Sequence, residues 1–87
     1  LYIGDVGGGN REEVNRVRAG TPGGLNFGWD YCEGTRDFRS GARCSDIAST
    51  PPSLEYDHND PAGGDLVIGG YVYRGDAFPE LYGAYLY

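Results

Sequence analysis

An all-β fold is the expectation for this 87-residue chain, and three features carry it. Sixteen glycines and five prolines cut the sequence into short runs separated by turns. Eight tyrosines supply surface suited to half-buried strands, while Leu and Ala are few. The one helical pattern covers only about two turns, too short to be stable without tertiary support. A chain of this length buries about 60 to 65% of the surface it exposes when unfolded, so its core is expected to be marginal. Its ends, Leu1-Tyr2-Ile3 and Tyr85-Leu86-Tyr87, are apolar and strand-like, and it contains no Met. We therefore expect a stretch of a longer chain, truncated at both ends.

Residues 1–6 read as a strand running into Gly7-Gly8-Gly9-Asn10, where the backbone can adopt angles closed to other residues and approach a ligand closely. Residues 11–18 carry the helical pattern: Val14 and Val17 lie at i,i+3, Glu12 and Arg16 at i,i+4, and Gly20 is placed as a C-cap. Residues 21–30 (TPGGLNFGWD) form a compact loop with Phe27 and Trp29 as its expected core anchors. Thr50-Pro51-Pro52-Ser53 is extended but excluded from a central strand by its prolines. Leu54-Glu55-Tyr56 is a short strand, followed by the polar loop 57–65 (DHNDPAGGD). The run 66–74 (LVIGGYVYR) is the strongest strand signal, with Gly69-Gly70 marking a bulge or a close backbone contact. After the turn 75–83, Ala84 to Tyr87 opens a last strand.

Thirteen acidic and seven basic side chains give a formal charge of −6, which argues against nucleic acid or an anionic membrane surface as partner. No apolar run approaches the roughly 20 residues of a membrane span, and no signal-peptide pattern is present. Cys32 and Cys44 bracket eleven polar, glycine-containing residues. A disulfide there would stabilise by about 2 to 3 kcal/mol and imply the periplasm or the cell exterior. Two free thiols are the alternative, and zinc is disfavoured because no further ligands lie at a usual spacing.

The words Gly4-Asp5-Val6-Gly7, Glu12-Glu13-Val14-Asn15, Asn26-Phe27-Gly28-Trp29 and Cys32-Glu33-Gly34-Thr35 occur in an order that resembles the glucose/sorbosone dehydrogenase family. The run 69–75 (GGYVYRG), then Phe78-Pro79-Glu80-Leu81 and Gly83-Ala84-Tyr85, continues the pattern. The resemblance implies one to two blades of a six-bladed β-propeller, with residues 11–18 a strand rather than a helix. It also implies pyrroloquinoline quinone and calcium as cofactors, an aldose sugar as substrate, its oxidation to a lactone and an external electron acceptor. Gly7 and Gly8 match the loop whose carbonyls hold the calcium that polarises the quinone, an arrangement calcium's tolerance of carbonyl ligands permits. Triple glycine would make that loop less pre-organised; a plain turn is the alternative.

Glu13 matches a recurring acid, and it and Asp5 are read either as ligands of a structural calcium or as braces of the loop, with bracing preferred for Asp5. The carbonyl of Phe27 is a further candidate calcium ligand. His58, the one histidine, has a side chain of the type that ordinarily titrates near neutrality. It does not match the family's general base, which lies upstream, and is read as a solvated loop residue; no catalytic residue is therefore assigned. Asp57, Asn59, Asp60 and Asp65 are read as a solvated acidic loop, because Ile68 stands where an EF-hand needs Glu. Arg74 is expected to brace a strand edge, the family's cofactor-binding cations falling outside residues 1–87. Gly7-Gly8-Gly9 fails the dinucleotide register, and there is no P-loop. The alternative to the dehydrogenase is a non-catalytic secreted propeller that binds a protein or glycan, like the hedgehog-interacting ectodomains that resemble the same family. Fold alone does not separate the two.

Overall fold

Seven short strands follow one another in the computed structural model, which describes residues 1–61 and 64–87. They are β1 (Tyr2–Asp5), β2 (Arg11–Arg16), β3 (Cys32–Glu33), β4 (Arg36–Asp37), β5 (Leu54–Asp57), β6 (Tyr71–Val72) and β7 (Tyr85–Leu86). Single 3-10 turns at Cys44–Asp46 and Pro79–Leu81 are the helical elements among the described residues, so the all-β expectation holds. The strands form three antiparallel sheets: β1-β2-β5, the hairpin β3-β4, and β6-β7.

Strand β2 is the centre of the main sheet. It pairs with β1, placing Asp5 opposite Glu13, and on its other edge with β5, placing Glu13 opposite Glu55. Ladder hydrogen bonds on both edges outweigh two turns of helical preference, and the strand implied by the resemblance prevails over the local signal. The run 66–74 departs further from expectation. Only Tyr71 and Val72 pair, opposite Leu86 and Tyr85. Its two glycines do make the close contacts expected of them: a Cβ on Gly70 would collide with the Leu86 carbonyl, and one on Gly4 would lie 2.8 Å from the Gly69 nitrogen.

The interior is unusually polar. Val14, Cys32 and Val67 are the buried apolar residues among those described, against the buried polar set Glu12, Glu13, Asn15 and Glu33. The radius of gyration, 14.6 Å, exceeds the roughly 12 Å of a close-packed domain of this length. The described residues therefore do not enclose an apolar core of their own, and Ile68, Tyr71 and Tyr82 lie exposed. Trp29 also departs from its expected role: it is 63% exposed and leans on Phe38, ring centroids 4.7 Å apart, instead of anchoring a core.

Cys32 and Cys44 form a disulfide, their Cα atoms 5.1 Å apart. The loop they close is held at further points. Gly34 turns β3 into β4 with φ of +61°, and the Cys44 N–H donates to Asp37 Oδ1 at 2.7 Å. No helix among the described residues is long and apolar enough to cross a membrane.

Candidate functional site

The loop between β1 and β2 is pinned by two buried carboxylates, neither of which is the brace expected from sequence. Glu12 Oε2 accepts the Gly7 N–H at 3.3 Å. Glu33 Oε1 accepts the Gly9 and Asn10 N–H groups at 2.8 and 2.9 Å, and its Oε2 accepts the Asn10 side-chain amide at 3.1 Å. Burial opposes the charge on Glu33, but these bonds, with one from the Arg11 backbone, outweigh it and hold its pKa down to about 2. Asp5, the expected brace, is exposed and lines the cavity described below. A loop of three glycines is thus given a defined shape from outside itself. At Gly7 a Cβ would collide with the Arg11 carbonyl, so glycine is needed there for close approach.

This loop forms one wall of a cavity of about 420 Å³. Gly7, Gly8, Glu13 and Phe27, the four residues singled out from sequence as candidate ligands, all line it. Asp5, Trp29 and Glu33 line it as well. The Trp29 and Phe38 rings press against Gly8, where a Cβ would meet each at 3.0 Å. Glu13 accepts a hydrogen bond from the Gly34 N–H and one from the Asn15 amide at 3.4 Å. Burial pushes its pKa up, the two hydrogen bonds pull against that rise, and the charges of Asp5 and Glu55 add to it. Among the described residues no group of three or more His, Cys, Asp and Glu side chains is arranged to hold a metal ion.

The hairpin β3-β4, which delivers Glu33, is tied to the main sheet by a charged cluster. Arg11 pairs with Glu55 and with Asp57, the latter at 2.9 Å, and Arg36 reaches Asp57 at 3.2 Å. Thr35 donates to Glu55 through its N–H at 2.8 Å and its hydroxyl at 2.7 Å. The bond to Glu55 raises the Arg11 pKa against the opposing effect of burial. Burial likewise opposes the Glu55 charge, but Thr35 and Arg11 hold its pKa below the usual range.

His58 is not the solvated residue read from sequence. Its Nε2 lies 2.5 Å from Oε1 of the fully buried Glu12, and its N–H donates to the Asn10 carbonyl at 2.9 Å. Oε2 of the same Glu12 accepts the Val67 N–H at 2.9 Å. One acid therefore joins the glycine loop, the segment after β5 and the run containing Val67. The expected acidic loop is likewise partly structural: Asp57 belongs to β5 and its ion pairs, and Asn59 N–H donates to Asp65 Oδ1 at 2.9 Å. Ala62 and Gly63 of that loop lie outside the described residues. Arg74 caps the Tyr82 ring at 5.3 Å.

Sequence reasoning missed Glu12 and Glu33. Glu33 stood inside a quoted word, Cys32-Glu33-Gly34-Thr35, and an acid between a half-cystine and a turn glycine was the available signal. Its partners lie 23 and 24 residues away, beyond any local pattern.

No family model matches the chain, and no solved structure matches it. The chain is 40% identical over 91 aligned residues to the HIPL2 protein of Arabidopsis thaliana, an alignment that takes in 95% of this chain. The chain spans only 12% of the length of that curated relative.

Proposed function

We propose that this chain is part of a secreted, non-catalytic β-propeller that binds a partner, of the kind represented by the hedgehog-interacting ectodomains. The observation that carries this reading is the 40% identity to the HIPL2 protein along 95% of the chain. The Cys32–Cys44 bridge supports an oxidising compartment outside the cytosol. The exposed apolar residues and polar interior are what a segment packed between neighbouring blades would present.

The cavity at the glycine loop is the candidate binding face. Its acid-rich lining suits a cation; only in the dehydrogenase reading would that cation be calcium, held by the Gly7 and Gly8 carbonyls with Glu13 and polarising the quinone. Pyrroloquinoline quinone is itself anionic, and this lining, with Asp5, Glu13 and Glu33, supplies it no cation, so its counter-charges would have to come from outside residues 1–87. A sugar dehydrogenase remains the second reading, and the gathering of Gly7, Gly8, Glu13 and Phe27 around one cavity is the observation that favours it.

The full-length protein, supplied with calcium, pyrroloquinoline quinone, glucose and an artificial electron acceptor, separates the two. The expected result is no turnover; quinone-dependent reduction of the acceptor would overturn the partner-binding reading.

A further inference from the structure

Hydrogen bonding around the glycine loop occupies three of its backbone donors and leaves the cavity lining rich in carboxylates. The N–H of Gly7 is taken by Glu12, and those of Gly9 and Asn10 by Glu33. Asp5, Glu13 and Glu33 present carboxylates to the cavity, and no Lys, Arg or His is among its lining residues. Three carboxylates with no cation beside them in the lining favour a ligand that carries positive charge and donates hydrogen bonds.

The aromatic walls decide which donor fits. A hard metal ion gathers six to eight oxygens and gains nothing from a ring face. A sugar is neutral and brings no charge to set against three carboxylates. A guanidinium or ammonium group donates only, pairs with carboxylates, and is attracted to the faces of aromatic rings, Trp above all. Trp29 is exposed and held against Gly8 beside Phe38, and Phe27 lines the same cavity. Burial of Glu13, which raises its pKa, makes it the carboxyl that gains most from an incoming positive charge.

We infer that this cavity is the seat of a basic side chain, arginine in preference to lysine, presented by a protein partner. The preference follows from the planar guanidinium, which stacks on a ring while forking two hydrogen bonds to a carboxylate. The chain's charge of −6 favours encounter with a basic surface. The inference rests on the partner-binding reading above and names the chemistry of that partner.

Titration calorimetry of the full-length protein with acetyl-Gly-Arg-Gly-amide, and with the same peptide carrying Gln for Arg, tests it. The Arg peptide is expected to bind and the Gln peptide not. Replacing the exposed Trp29, as Trp29→Ala, is expected to weaken the Arg peptide by about tenfold, while Trp29→Phe retains most of the affinity. Equal binding of the two peptides, or an unchanged affinity in Trp29→Ala, overturns the inference. So does displacement of the peptide by calcium whose own affinity ignores Trp29→Ala, because the site is then a metal seat. Sugar oxidation by the same preparation would sink the partner-binding reading itself; a protein that neither oxidises sugar nor binds the Arg peptide sinks this inference alone.

Discussion

Glu12 Oε1 and His58 Nε2 lie 2.5 Å apart although their residues are separated by 46 positions. The pair closes a three-way junction, since Oε2 of Glu12 also accepts the N–H groups of Gly7 and Val67. Removing the imidazole leaves a fully buried carboxylate short of one donor, which costs about 1 to 3 kcal/mol. His58→Ala in the full-length protein is expected to lose hydrogen-exchange protection at Gly7 and Val67 together, while His58→Gln, which keeps a donor, loses less. Unchanged protection at both amides would show that the junction does not depend on His58.

Glu33 makes the loop acid-sensitive. Its folded pKa of about 2 lies below the usual carboxylate value, so its stabilisation is fully present above the unfolded pKa and is lost as pH falls through the folded one. The residue is 2% exposed, and the shift corresponds to roughly 3 kcal/mol at neutral pH. Protection of the Gly9 and Asn10 amides should therefore fall between about pH 5 and pH 2. In Glu33→Gln it should be low at neutral pH and nearly flat across that window. A wild-type profile that is also flat would contradict the clamp.

The Cys32–Cys44 bridge closes a loop whose ends are 12 residues apart in sequence. Limiting the freedom of a loop of that size in the unfolded chain stabilises by about 2 to 3 kcal/mol. Cys32 immediately precedes Glu33, so loss of the bridge should loosen the clamp as well as lower stability. Cys44→Ala is expected to lower the denaturation midpoint and to reduce protection at Gly9 and Asn10. A lowered midpoint with intact protection would separate the bridge from the clamp.

The fold was legible where chain chemistry is local. Glycines marked the turn between β1 and β2, prolines at 51 and 52 kept that stretch out of a strand, and the last strand fell within its expected run. Residues 11–16 were recoverable only from the order of words shared with a family, because their pattern misleads. Strands usually show polar and apolar residues in alternation, yet both faces of β2 are buried, and three of its four consecutive buried residues are polar. Glu12 and Glu13 are polar because they hold loops, and the loops they hold are set by tertiary structure. The run 66–74 fails for the opposite reason: its side chains suit a strand, but composition does not say whether a partner edge lies alongside. The cavity was legible as a set of residues, whereas its carboxylate braces were not, since each acts across tens of residues.

Gly34 and Gly41 offer a matched comparison. Both have positive φ, +61° and +79°, so Ala at either position bears the cost of left-handed backbone, about 1 to 2 kcal/mol. Their surroundings differ. A Cβ at Gly41 meets nothing within 4 Å, whereas one at Gly34 would collide with Glu55 Oε2 and crowd the Arg11 side chain at 3.1 Å. Glu55 cannot simply swing aside, because it holds Thr35 and Arg11, and the Gly34 N–H is itself donated to Glu13. Gly34→Ala should therefore destabilise by more than Gly41→Ala, by about 1 to 3 kcal/mol beyond the shared backbone cost. Chemical denaturation of the two full-length variants side by side reads the difference directly. Equal losses would mean that the Arg11–Glu55 cluster yields freely and does not tie the β3-β4 hairpin to the main sheet.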